Sequence, residues 1–262
     1  MRSLNIGATG MLAQQTNVDV ISNNIANMNT TAYTKRRAEF NDLIYQNIIR
    51  PGATSTAAQT IVPSGIQLGT GVRTAAVYRI TDGGGVSKTD NPLDLAIQGR
   101  GYFQIELPEG KGIGYTRDGA FQRNGDGVIV THDGYIVQPE ITIPEDAVEV
   151  FVNASGEVWV KQDGETDEVN VGQLELAAFT NEAGLEAIGN NMFTETEASG
   201  APILDNPDTE GFGSILQGYL TTSNVNAVAE ITELVSAQRA YEMNSKIIQT
   251  SDQMLNTITQ LR

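Results

Sequence analysis

The sequence contains no cysteine, and only one histidine and one tryptophan occur among its 262 residues. Without cysteine there can be no disulfide, no thiolate nucleophile and no cysteine-ligated zinc. One histidine, His132, is too few for a histidine-rich metal centre. These absences exclude several common site chemistries, and we expect no cofactor. They do not fix the compartment, because a chain without cysteine tolerates either redox state.

Basic residues are also scarce, with 16 lysines and arginines against 32 acidic residues, which gives a net charge of −16. This balance opposes binding to nucleic acid or to an anionic membrane. The acidic excess is concentrated in one part of the chain. Residues 140–210 carry 17 acidic side chains and one basic side chain, whereas the first 37 residues carry four basic and one acidic. We interpret the acidic block as a solvated outer face that keeps a dense assembly soluble.

Long apolar runs are missing throughout. No stretch approaches the roughly 18 residues that a membrane-spanning helix needs. Near the N-terminus, Asn5, Gly7, Thr9 and Gly10 interrupt the sequence before a hydrophobic region forms, which opposes a secretory signal. Export, if it occurs, is therefore expected without a cleaved signal peptide.

Both ends of the chain lack proline. No proline precedes Pro51 or follows Pro207, and no glycine follows Gly218. Both ends are therefore predicted as helices, with Asn224 or Asn226 capping the second. Apolar residues recur every seven positions in each, as in a heptad repeat. The columns are Leu4, Met11, Val18 and Ile25 in the first helix and Leu234, Tyr241, Ile248 and Leu255 in the second.

The second column of each predicted helix is incomplete. In the first helix it contains Gly7 and Gln14; in the second it reads Ile231, Gln238, Ser245 and Asp252. A two-stranded coil needs both columns to be apolar. We predict that the helices pair as one discontinuous domain and complete their burial against other chains. The alternative is two unrelated amphipathic helices, each lying on its own core.

The region between the helices is rich in turns and short strands. Alternating apolar residues predict antiparallel strands, including a hairpin around Asp133-Gly134. The fold class is therefore α+β, with a mainly antiparallel β region inserted between the terminal helices. The predicted division is 1–35 and 221–262 for the paired helices, 36–95 and 190–220 for a connecting region with a turn-rich extension at 51–71, and 96–189 for an outer β domain.

Several short patterns suggest chemistry but are better explained as turns. Gly83-Gly84-Gly85 with Lys88 lacks the Gly-Lys-Ser/Thr ending of a phosphate loop, and Gly99 with Gly101 lacks a third glycine. The stretch 124–127 has no closing glutamate for calcium. Asp118, Asp126 and Asp133 stand next to turn positions, so paired-carboxylate catalysis is not favoured. No catalytic or metal-binding residues are assigned.

Five motifs resemble those of the bacterial flagellar rod and hook proteins. They begin with 22–27 and continue through Thr30, Tyr33, Lys35 and Arg36; the others are 99–103, 115–121, 217–226, and the pair 238–242 and 252–255. The family usually has glycine in place of Ala32, which leaves open whether this turn needs a positive φ, and glutamate is common in place of Thr221. Together the motifs span the chain from residue 22 to residue 255.

The resemblance implies a non-enzymatic subunit of a helical tube. Within the family, an extension like 51–71 is typical of the distal rod, and hook and proximal rod members generally lack it. The implied protein forms a rigid hollow drive shaft in the flagellar basal body. It crosses the periplasm, transmits torque from motor to hook, and leaves the cell through the flagellar type III export apparatus.

The implied partners are further copies of the chain, proximal rod and hook subunits, and the surrounding bushing rings. The alternatives are a hook or proximal rod subunit and, further away, an acidic secreted carbohydrate-active enzyme or an adhesin. We assign subunit assembly to the two heptad columns together with Asn23, Asn24, Asn27 and Ile231. We assign rod stiffening to Pro51, Gly52, Pro63, Gly65, Gly69 and Gly71.

Overall fold

The computed structural model describes residues 2–52, 64–108, 112–164 and 168–260. Helix α1 covers Arg2–Ala26 and helix α2 covers Ala227–Gln260, with a β-rich region inserted between them. The predicted α+β class with discontinuous terminal helices is confirmed. No helix in the described part of the chain is long and apolar enough to cross a membrane.

Twenty strands lie between the helices in the described residues. The first ten are β1 Arg36–Asp42, β2 Gln46–Ile49, β3 Ile66–Leu68, β4 Val72–Arg79, β5 Val86–Lys88, β6 Leu95–Gln98, β7 Tyr102–Glu106, β8 Ile113–Thr116, β9 Phe121–Arg123 and β10 Ile129–Thr131. The others are β11 Val137–Gln138, β12 Ala147–Val152, β13 Glu157–Gln162, β14 Glu168–Gln173, β15 Leu176–Ala178, β16 Glu186–Gly189, β17 Met192–Thr194, β18 Ile203–Asp205, β19 Ser214–Gln217 and β20 Tyr219–Thr221.

The chain forms two compact units. Unit 1 contains residues 1–26, 36–78 and 226–262, and unit 2 contains residues 27–35 and 79–225. In these units the segment 190–220 lies in the β-rich unit and the segment 36–78 lies with the helices, and the predicted three-part division stays a prediction. The assignment of 96–189 as the outer domain of an assembly stays a prediction.

In unit 1 the two helices run antiparallel. Gly7 lies against Ile248, Gly10 lies against Asn244, and Asn24 contacts Glu230. A Cβ at Gly7 would lie 2.9 Å from Ile248 Cγ1, and one at Gly10 would lie 2.9 Å from Asn244 Nδ2. Glycine is unfavourable inside a helix, so its presence at these two positions is explained by the close approach of α2.

The second buried column of α2 is not the one that the sequence indicated. Ile231 is 52% exposed, and Gln238 and Asp252 are also exposed. The residues that face α1 stand one position earlier: Asn244 lies against Gly10, and Glu230 contacts Asn24. This column consists of Glu230, Ala237, Asn244 and Ser251, of which all but the half-buried Asn244 are buried.

The structure assigns different roles to the two candidate capping residues. Asn226 Oδ1 accepts hydrogen bonds from the backbone N–H groups of Val228 and Ala229, at 3.1 and 3.2 Å, so it caps α2. The Asn224 side chain instead donates to the carbonyls of Ile80 and Asp82 and accepts from the Lys35 amide. Asn224 therefore joins distant parts of unit 2.

Unit 2 is organised on a seven-stranded sheet in the order β16-β17-β8-β7-β15-β18, with β11 also pairing with β7. A three-stranded sheet, β12-β13-β14, lies in the same unit, and its strands are antiparallel. The predicted hairpin around Gly134 is reduced to a bridge between Val130 and Ile136 beside the turn. The large fully buried side chains include Phe103, Phe121, Phe179, Leu95, Ile105, Ile129, Ile141, Leu174, Leu176 and Ile215.

Candidate functional site

The N-terminal signature segment, residues 27–35, is held in unit 2 by its polar side chains and its backbone. Thr31 Oγ1 donates to Asp118 at 3.0 Å, and Asn191 Nδ2 donates to the Thr31 carbonyl at 2.9 Å. Ala32 has φ 54°, and its amide donates to the Thr221 carbonyl at 2.8 Å. The turn therefore has the left-handed conformation, although alanine replaces the usual glycine.

Two of the three candidate catalytic carboxylates, Asp118 and Asp133, have structural partners. Besides accepting from Thr31, Asp118 accepts from the Ala120 amide at 3.1 Å. Asp133 accepts from Asn190 at 3.0 Å and lies 3.4 Å from the exposed His132. Among the described residues, no cluster of acidic or histidine side chains could hold a metal ion.

Asn24 provides the polar contact at one end of the helix pair. Its Nδ2 donates to the Arg36 carbonyl at 2.8 Å and to Glu230 Oε2 at 3.1 Å, and its Oδ1 accepts from the Arg36 amide at 2.9 Å. Asn24 is 1% exposed and Glu230 is 5% exposed. A buried polar contact of this kind fixes the register of paired helices. Asn23 is exposed, and Asn27 accepts from the Thr30 hydroxyl.

The predicted assembly columns are neither fully buried nor fully free within one chain. In α1 the column Leu4, Met11, Val18 and Ile25 is half-buried throughout. In α2, Leu234, Ile248 and Leu255 are half-buried, and Tyr241 is exposed. Each column therefore retains apolar surface after the helices have paired.

A second apolar stripe runs along α2, and Ile231 is its only member that the sequence assigned to assembly. Its members are spaced mainly by three or four residues, which places them on one face of the helix. Val228, at 76% exposed, is the most accessible member. The spacing alone could have revealed this open stripe, which consists of Val228, Ile231, Val235, Met243, Ile247 and Met254, all of them exposed.

Strands β2 and β3 form an antiparallel ribbon. Of the two, β3 lies in the predicted turn-rich extension 51–71, and β2 precedes it in the predicted connecting region. Every residue of both strands is exposed, and Ile44 just before β2 is 85% exposed. A two-stranded hairpin is at best marginally stable by itself in water. The apolar side chains of this ribbon are Ile44, Tyr45, Ile48, Ile49, Ile66 and Leu68.

The glycines of the extension allow close backbone approaches. A Cβ at Gly65 would lie 2.2 Å from the Ile49 carbonyl oxygen, and one at Gly71 would lie 2.2 Å from Thr9 Oγ1. Gly71 also has φ 130°, and Thr9 Oγ1 accepts from the Val72 amide. Gly69 contacts the Tyr45 ring, Pro51 and Gly52 form a turn, and Pro63 lies outside the described residues.

Sequence profiles of the flagellar rod and hook families match three parts of the chain. The flagella basal body rod protein profile matches residues 4–34, the FlgE/F/G hook D1 domain profile matches 96–160, and the FlgEFG C-terminal rod profile matches 216–261. The FlgG rod protein of Caulobacter vibrioides is 57% identical over 262 residues, which is 100% of both chains.

The chain belongs to the FlgG family of flagellar basal-body rod proteins. FlgG of Agrobacterium fabrum is 51% identical over 99% of this chain and 98% of its own length. FlgG of Bacillus subtilis is 38% identical over 100% of this chain and 99% of its own length. The matched families and these FlgG proteins are structural parts of the flagellum and not enzymes. This similarity confirms the non-enzymatic interpretation.

Proposed function

We propose that this chain is the structural subunit of the flagellar distal rod. The observation that carries the proposal is its full-length similarity to FlgG rod proteins, at 57% and 51% identity. Copies would polymerise into a rigid hollow helical shaft that transmits torque from the motor to the hook. The partners would be further copies, proximal rod and hook subunits, the bushing rings and the type III export apparatus. The shaft would cross the periplasm, and its subunits would be exported without a cleaved signal peptide.

The exposed apolar surface of unit 1 supports polymerisation. After α1 and α2 have paired, the open stripe and the heptad columns still present large apolar side chains to solvent. Contiguous apolar surface of this kind marks an interaction site, and burying it contributes about 25 cal/mol per Å². The proposed occupant is unit 1 of another copy, because a contact between unlike surfaces that repeats without closing produces a helical polymer.

The ribbon and the extension support stiffness. A marginal two-stranded hairpin with six exposed apolar side chains gains stability when a neighbouring copy covers it. Each subunit would then be joined to its neighbours at the ribbon as well as at the helices. Contacts at two separated places resist bending more strongly than contacts at one place.

Substitutions on the open stripe test polymerisation without breaking the helix pair. Ile231→Asp and Met243→Asp place a charge on exposed positions, and Gln249→Asp is the matched control at another exposed position of α2. In cells that carry only the variant, we expect secreted but unassembled subunits for the first two and normal rods for the control. Electron microscopy of basal bodies, together with assay of subunit in the medium, measures both. Normal rods with Ile231→Asp and Met243→Asp would contradict the assignment.

The heptad columns are tested by Met11→Asp and Ile248→Asp, for which the same exported, unassembled outcome is expected. Because Ile248 also contacts Gly7, circular dichroism of the purified variant must show that its helices still form. Deletion of residues 51–71 tests stiffness and should give curved or unstable shafts. Straight rods of normal strength after that deletion would instead favour a proximal rod or hook role.

A further inference from the structure

Unit 2 contains a cavity of about 590 Å³, and none of its lining residues is among those assigned to assembly. Its walls come from the glycine loop at 82–85, the end of β6 with the following Gly99 and Arg100, and the side chains of Arg117, Glu182 and Thr221. The cavity is large enough for a small organic group. Its most unusual feature is the charge on Arg117.

Arg117 is a buried guanidinium without a contacting acid. It is 5% exposed, donates to the Gly99 carbonyl, and lies 5.7 Å above the centroid of the Tyr102 ring. No carboxylate of the described residues lies within ion-pair distance of it. Buried charges in proteins are normally paired, because removing them from water is unfavourable. One carbonyl and one ring face leave most of its five N–H donors for another acceptor.

Glu182 does not form an ion pair with Arg117, because both of its carboxylate oxygens contact other side chains. Its Oε1 lies 3.1 Å from Arg100 Nε, and its Oε2 accepts from the Tyr102 hydroxyl at 3.3 Å. Arg100 itself also donates to the Phe179 carbonyl at 3.0 Å. The other acid in the wall, Asp82, is exposed. The nearby carboxylates are therefore either satisfied or solvated.

Thr221 provides a second, independent observation. It is 6% exposed and lines the same cavity, and its hydroxyl is buried with no hydrogen-bond partner in the described part of the chain. A buried hydroxyl without a partner is uncommon in native structures. The wall of this cavity thus contains a buried cation that has no carboxylate partner and a threonine whose hydroxyl has no partner in the described residues.

We propose that this cavity binds a single carboxylate group, held by Arg117, with Thr221 in the same wall. The planar guanidinium matches a carboxylate in fork geometry. A doubly charged phosphate is disfavoured because Asp82 and Glu182 also line the wall. The apolar part of the ligand would lie against Val86 and Ile97. The carboxylate comes either from a small free acid or from an acidic side chain of a second copy.

Butyrate is the probe, with uncharged butyramide and inorganic phosphate as comparison ligands at constant ionic strength. Calorimetric unfolding of the purified full chain should show a saturable rise in Tm of about 2–4 °C with butyrate. The rise with butyramide or phosphate should be smaller. Equal shifts for butyrate and butyramide, or no shift with butyrate, would overturn the proposal.

Thr221→Glu supplies an internal carboxylate at the cavity wall. We expect it to raise Tm without ligand and to remove the response to butyrate. Thr142→Glu, at an exposed position that does not line the cavity, is the matched control and should keep the response. Arg117→Met should also lose the rise in Tm with butyrate. Because this variant also loses the Gly99 contact that supports folding, Thr221→Glu is the decisive test of the site. Identical behaviour of Thr221→Glu and Thr142→Glu would refute the site.

Sedimentation at increasing protein concentration distinguishes the two possible sources of the carboxylate. If a second copy supplies the group, butyrate weakens self-association of the wild-type chain and Thr221→Glu associates less. If a free acid is the ligand, butyrate binds the monomer and leaves association unchanged. Both results support the cavity as a carboxylate site, and neither depends on whether the chain forms the distal rod.

Discussion

Replacing Asn24 by alanine should destabilise the helix unit by about 3 kcal/mol. The buried Asn24 side chain takes part in hydrogen bonds of 2.8, 2.9 and 3.1 Å, and one of them reaches the carboxylate of Glu230. Each intramolecular hydrogen bond contributes about 1 kcal/mol net, and the bond to a charged group contributes more. The loss is a large part of the roughly 5–15 kcal/mol that stabilises a domain.

Urea unfolding at neutral pH, followed by far-ultraviolet circular dichroism, measures this loss. Helices α1 and α2 dominate the signal, so the midpoint reports mainly on unit 1. We expect a lower midpoint with an unchanged m-value for Asn24→Ala. Asn5→Ala, at an exposed position of α1, is the matched control and should change stability by less than about 0.5 kcal/mol.

A reciprocal exchange tests whether the Glu230 contact is the cause. Asn24→Asp places two carboxylates at the 3.1 Å contact and should be at least as destabilising as alanine at neutral pH. Adding Glu230→Gln restores one amide–carboxylate pair, in which the glutamine at 230 now donates to the aspartate at 24. The double variant should therefore recover about 1–3 kcal/mol of unfolding free energy relative to Asn24→Asp. A loss below about 1 kcal/mol for Asn24→Ala, or no recovery in the double variant, would refute the reasoning.

Three further predictions concern close contacts and pH. Gly119→Ala would place a Cβ 1.6 Å from the Leu95 carbonyl oxygen and should cost about 3 kcal/mol or more in urea unfolding, whereas Gly125→Ala, with open space around it, should be neutral or slightly stabilising. Gly10→Leu should cost about 2 kcal/mol by separating α1 from Asn244, and the exposed Ala8→Leu should not. Burial, and next the charge of Glu182, raise the pKa of Tyr102. Above pH ~10 the unfolded chain releases this proton and the folded chain keeps it, so stability should fall by up to about 1.4 kcal/mol per pH unit, and Tyr102→Phe should flatten that slope.

The sequence alone determined the features that depend on neighbouring residues. The absence of proline at both ends, and of glycine after Gly218, predicted helices, and α1 and α2 occupy those ends. Period-two alternation predicted strands such as β12 and β13, because successive side chains of a strand point to opposite faces. The five motifs identified the rod and hook family, which the profiles and full-length relatives confirm.

Only the tertiary structure decided which faces are buried. Heptad counting finds the apolar columns of a helix, but the column that packs depends on the residues opposite it. Gly7 and Gly10 allow α2 to approach so closely that Asn244 lies at the contact. At the other end of the helix pair Glu230 contacts Asn24, and its neighbour Ile231 is exposed. Similarly, local propensity does not show that β2 pairs with β3 or that Arg117 and Thr221 line one cavity, because these relations join residues far apart in the chain.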